Sequence, residues 1–147
     1  VQYIDIHPLK TLEEAKREID FYKDRFLSKT GIRWGIVFTR EIKIIGTLGF
    51  NKIYEGHKGR IGYDLEQKYW GKGYMTEVLN CMINYGFKQF DLHRIEAEVM
   101  PNNMGSERLL EKLGFKKEGV LREWMCWNDN LYDITMYSLL RSDYKEK

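Results

Sequence analysis

Cysteine and histidine are scarce in this sequence, and the few copies are scattered. Cys81 and Cys126 lie far apart, neither in a CxxC pair, and His7, His57 and His93 complete no metal-ligand spacing. These counts argue against a disulfide scaffold and against a zinc centre. The two thiols read instead as buried and free, in the reducing conditions of a cytoplasm. Charge of one sign is also missing. The 24 Lys and Arg stand against 22 Asp and Glu, a net charge of +2, which gives no reason to expect nucleic acid or an anionic membrane as partner. No long apolar run is present, so no membrane span is expected. There is no signal-peptide pattern, linker, low-complexity stretch or internal repeat. What remains is 147 residues, 43% hydrophobic and 31% charged, the balance of one domain around one core. The chain opens on Val1 rather than Met and so reads as a fragment or a processed product.

Hydrophobic spacing divides the chain into nine elements. Thr11 and Glu14 form a T-x-x-E capping box, and Leu12, Ala15, Ile19, Tyr22 and Phe26 follow at helical spacing until Gly31. Trp34, Ile36 and Phe38 alternate with more polar neighbours, then Arg40-Glu41 turns into a second strand over Ile42 to Phe50. Asn51 to Gly59 is polar and glycine-rich and reads as a loop. Arg60 to Leu65 reads as a strand. Met75, Val78, Leu79, Met82, Ile83, Gly86, Phe87 and Phe90 mark the clearest amphipathic helix. A strand over Ile95 to Val99 ends at Pro101, Ser106 to Leu113 is a short helix closed by Gly114, and the strands Val120–Trp127 and Leu131–Leu140 form a last hairpin. Ser142 to Lys147 reads as a polar tail.

The stretch YWGKGYMTE, Tyr69 to Glu77, sits between a strand and the strongest helix. A helix N-terminus carries unpaired N–H groups and the positive end of the dipole, and glycine lets an anion approach them. Lys68 and Lys72 add charge. A dinucleotide fingerprint would need glycine at Thr76, and a Walker A loop would need one at Glu66, so both are excluded. A cradle for a diphosphate remains, with an ordinary tight turn as the other reading. Pro101 to Ser106, PNNMGS, ends the next strand and opens the next helix. It reads as a cap through Asn103 or Ser106, as a polar grip on a ligand between two strands, or as both.

Taken together, GRIGYDLEQKYWGKGYMTE, PNNMGSERLLEKLGFKKEGVLRE and LYDITMYSLL resemble the GCN5-related N-acetyltransferases, in the branch that acetylates ribosomal-protein alanine. The resemblance spans the helix after Thr11 through Leu140. It implies an α+β three-layer fold whose mixed, mostly antiparallel twisted sheet splays open around acetyl-CoA, with helices on both faces. It also implies that an N-terminal strand and helix precede Val1 in relatives. The pyrophosphate would lie on the backbone of Lys68 to Gly73, bordered by Trp70, Gly71, Lys72, Tyr74 and Met75. The pantetheine would pair with the strand edge at Tyr63 and Leu65, and Asn103 would contact the cofactor arm.

The implied reaction is attack of a neutral amine on the thioester, with an oxyanion stabilised by a backbone N–H of the Tyr63–Leu65 strand. Many relatives place an acidic tyrosine where this chain has Leu110. Ser106 matches the alternative acid, with a capping role as its other reading. Where some relatives carry a basic glutamate this chain has Met125. Glu123, two residues earlier on the same strand face, is a candidate base or else a solvated charge. Glu98 and Asp133 are further candidates, with structural pairing as the alternative. Trp124 and Trp127 could line an acceptor pocket or pack in the hairpin, and Arg122 could touch an acidic acceptor. The acceptor is a small-molecule amine or a protein N-terminus. Exposed aromatics leave room for a homodimer. A CoA-binding module without catalysis is the competing reading.

Overall fold

The structure, a computed structural model, describes residues 9–145. His7 lies outside the described residues. The first helix, α1 (Leu12–Leu27), starts at the expected capping box: Thr11 Oγ1 accepts the Glu14 N–H at 3.1 Å, and Glu14 Oε2 accepts the Thr11 N–H at 3.2 Å. None of its residues is buried. It rests on the first strand through Tyr22, whose ring lies under the Arg33 guanidinium at 5.9 Å.

Strands β1 (Ile32–Phe38), β2 (Lys43–Tyr54) and β3 (Lys58–Leu65) form an antiparallel meander. The loop expected over residues 51–59 is not there. A bulge between Phe50 and Lys52 lets β2 continue to Tyr54, with Ile53 buried, and a tight turn at Gly56 (φ 69°) returns the chain into β3. The outward face of this hairpin is solvated, so polar residues sit in it without breaking the ladder.

Helix α2 (Tyr74–Gln89) crosses over to β4 (Arg94–Val99), which pairs in parallel with β3. Helix α3 (Met104–Lys112) leads to the hairpin of β5 (Lys116–Trp127) and β6 (Asn130–Leu140). Among the described residues the sheet has six strands in the order β1-β2-β3-β4-β6-β5, and only β3 and β4 run parallel.

The core lies on one face of the sheet. Met75, Leu79, Met82, Ile83 and Phe87 of α2 pack with Leu48 and Phe50 of β2, Ile61 of β3, and Ile95, Ala97 and Val99 of β4. Burying each large side chain contributes about 1.5–3 kcal/mol. The opposite face carries charge: Arg60, Glu96 and Glu98 alternate with the buried residues of β3 and β4. Both thiols depart from expectation. Cys81 and Cys126 are exposed, Cys81 on the solvent side of α2 and Cys126 on the outer strand β5.

Candidate active site

The functional geometry begins where two strands separate. Strands β3 and β4 pair from Lys58↔Arg94 to Ile61↔Ala97 and then stop, although they run on to Leu65 and Val99. Each keeps its other neighbour: β3 stays on β2 to Gly46↔Leu65, and β4 stays on β6 to Val99↔Thr135. The β4-facing backbone of Gly62–Leu65 is therefore left off the ladder. An extended ligand could pair with it as an added strand.

The glycine stretch lies at the mouth of this opening. After β3, a short 3-10 turn (Gln67–Tyr69) buries Tyr69, and the Trp70 indole N–H donates to the Leu65 carbonyl at 2.7 Å. Gly71 and Gly73 have φ of 72° and 87°. Gly73 is the N-cap of α2, and no side chain caps that helix. A Cβ at either glycine would meet nothing within 4 Å. Backbone conformation, not packing, demands glycine here, and the space above the first-turn amides is open. Tyr74 packs between Phe38 and Tyr69, and Met75 is buried, so both offer a ligand their backbone rather than their side chains. Lys68 pairs with Glu66 at 3.4 Å, and Lys72 lies over the Tyr69 ring at 5.7 Å. These residues fit a diphosphate joined to an extended arm.

The opposite wall is the start of α3. The expected helix start was Ser106, but the helix begins two residues earlier and Asn103 is its N-cap, its Oδ1 accepting the Ser106 N–H at 3.1 Å. Ser106 is consequently inside the first turn, and its hydroxyl is left to interact elsewhere. It neighbours the phenol of Tyr63 across the opening. Burial pushes that phenol up to about 12, against a smaller downward pull from Ser106. Leu110 is fully buried in the core.

On the charged face of the sheet, one carboxylate gathers three strands. Glu98 Oε1 takes Arg60 of β3 at 2.8 Å and the indole N–H of Trp124 at 2.9 Å. Trp124 comes from a wide irregularity in β5: Leu121 pairs with Ile134 and Met125 with Tyr132, so three residues of β5 oppose Asp133 alone. Glu123 sits there at φ 50° with its N–H on Asp133 Oδ1 at 2.8 Å, and its side chain is exposed. The alternation that would set Glu123 on the face of Met125 is thus broken. Asp133 is engaged as the anchor of this bulge. Arg122 and His57 are both exposed. Trp127 packs on Tyr132 at 6.3 Å. The Arg60–Glu98 pair escaped the sequence because two strands distant in the chain come into register only through the α2 crossover. The alternating charges of both strands were its one visible trace.

Comparison with known proteins decides the family. The acetyltransferase (GNAT) domain family matches residues 1–116. The uncharacterized N-acetyltransferase p20 of Bacillus licheniformis is 39% identical over 144 residues, 97% of this chain and 81% of that protein. The chain belongs to the GNAT acetyltransferases. It is an acetyl-CoA-dependent N-acetyltransferase that transfers the acetyl group to an amine. Among solved structures, the ribosomal-protein-S5-alanine acetyltransferase of Vibrio fischeri superposes with a TM-score of 0.81 at 31% identity, covering 95% of this chain and 80% of that one. The microcin C7 self-immunity acetyltransferase MccE, solved with acetyl-CoA and AMP, gives 0.80 at 25% identity, covering 89% and 72%. The expected splayed GNAT sheet is therefore the observed one. Among the described residues no helix is long and apolar enough to cross a membrane, and no metal-binding cluster is present.

Proposed function

We propose that this GNAT enzyme acetylates the free amine of a peptide or protein N-terminus, with acetyl-CoA held in the opening between β3 and β4. The observation that carries the assignment of the site is the end of β3–β4 pairing at Ile61 and Ala97, beside an uncapped α2 N-terminus. The backbone amides from Gly71 to Met75 would hold the pyrophosphate, helped by the dipole of α2. The Gly62–Leu65 edge and Asn103 would hold the arm, and Lys68, Trp70 and Lys72 would border it. Bound acetyl-CoA supplies an activated acyl carbon.

The chain's own groups supply the rest. A backbone N–H of the Tyr63–Leu65 edge lies where charge would develop on the carbonyl oxygen. The Ser106 hydroxyl, paired with the neutral Tyr63 phenol, donates a proton to the departing sulfur. Glu123 lies on the exposed bulge, so its part as base would be through water. The relative from Vibrio fischeri, named for ribosomal-protein alanine, supports the peptide N-terminus over small amines as acceptor. The test is thiol release from acetyl-CoA with a hexapeptide beginning in free alanine, its N-acetylated form, a polyamine and an aminoglycoside. Turnover confined to the free peptide supports the assignment. Turnover with the polyamine or aminoglycoside alone would overturn it.

A further inference from the structure

We propose that Trp124 is a specificity-determining residue, a ring held over the acceptor entrance that selects peptides by the size of their first side chain. This rests on the peptide N-terminus being the acceptor. The acetyl group must be delivered in the opening beyond Ile61 and Ala97. The core face of that opening is closed by α2 and α3, with Tyr63, Leu65 and Val99 packed there. An acceptor therefore arrives from the charged face, and Glu98 is the first residue of β4 on that face beyond the last β3–β4 pair.

Trp124 reaches this point by an unusual route. An uninterrupted β5 would keep its side chains over β6, the neighbour between it and β4. The irregularity from Leu121 to Met125, pinned by the Glu123 N–H on Asp133, re-aims Trp124 across β6 to Glu98. Arg60, in the last paired stretch of β3, holds the same Glu98 oxygen from the neighbouring strand. The indole is thus oriented at its N–H end while half of the residue stays exposed, at 50%. An oriented, uncovered aromatic plane at an entrance offers contact to a small side chain and obstructs a large one.

The experiment uses two hexapeptides that differ only in the first residue, alanine or phenylalanine. Wild-type protein is expected to favour the alanine peptide in kcat/KM. Trp124→Ala should shift the ratio toward phenylalanine by about tenfold or more, because one pocket contact commonly discriminates by 10- to 200-fold. Trp124→Phe, which keeps a ring but lacks the N–H, should fall between. A ratio unchanged within about twofold in both variants overturns the proposal. So does failure of wild-type protein that binds acetyl-CoA to acetylate either peptide. Failure to bind acetyl-CoA at all would instead contradict the acetyl-transfer site. Should Trp124→Ala not fold, the indole N–H resonance absent from Trp124→Phe decides. It should move in Glu98→Gln and on adding the free alanine peptide, but not its N-acetylated form. Equal response to both peptides, or none, overturns the proposal.

Discussion

Adding a single methyl group separates the two kinds of glycine in this chain. At Gly49 a Cβ would sit 2.0 Å from the Ile32 carbonyl oxygen, so Gly49→Ala should prevent β1 from closing on β2 and leave little folded protein in circular dichroism. At Gly73 nothing obstructs the methyl, and only the left-handed conformation resists it, at about 1–2 kcal/mol. Gly73→Ala should therefore fold with a modestly lower Tm. Calorimetry should show acetyl-CoA affinity reduced roughly tenfold or more, since about 1.4 kcal/mol of lost amide contact is a tenfold change. Ser106 is tested differently. Its hydroxyl caps nothing, and Tyr63 beside it remains a neutral donor well above physiological pH. Ser106→Ala should lower kcat by about 10- to 100-fold, toward the smaller end of acid–base effects, with acetyl-CoA affinity unchanged. An unaltered kcat would remove Ser106 from the proton path.

Among the elements, α1 and α2 have equal length and unequal security. Six residues of α2 are buried and none of α1. Amides of α1 should exchange hydrogen at low protection and those of α2 near the global limit; equal protection would refute the reading of α1 as a loosely held element. Strand β4 makes a further prediction. Burial pushes the Glu96 carboxyl up, but Arg94 at 2.8 Å and Lys58 at 3.2 Å leave it below the usual range. A lowered folded-state value gives stability that is present above the unfolded value, about 4.5, and is lost as pH falls through the folded one. Glu96→Gln should lose about 1–3 kcal/mol at neutral pH, because both partners remain partly exposed, and should flatten the acid limb of Tm against pH. These elements also show what can be read from a sequence. The α2 stripe and the Thr11 capping box were legible because their signals are local. The bulge after Phe50 and that around Glu123 were not, because a bulge depends on what the partner strand offers.

At the scale of the whole molecule, the site is a consequence of topology. One parallel pair in an otherwise antiparallel sheet puts β3 and β4 side by side without a hairpin to hold their far ends together. They part, and the crossover helix α2 brings its N-terminus to the same end. Gly71, Gly73 and Asn103 could be picked out from residue type and position, since phosphate cradles and helix caps have local signatures. The union of Arg60, Glu98 and Trp124 could not, because it requires the register of four strands. The most direct test of the acetyl-CoA site is amide hydrogen exchange with and without acetyl-CoA. Protection should rise at residues 62–65 and 71–76 and at the start of α3, and α1 should be unaffected. Protection confined to other segments, or no change at the β3 edge and the α2 N-terminus, would contradict the account.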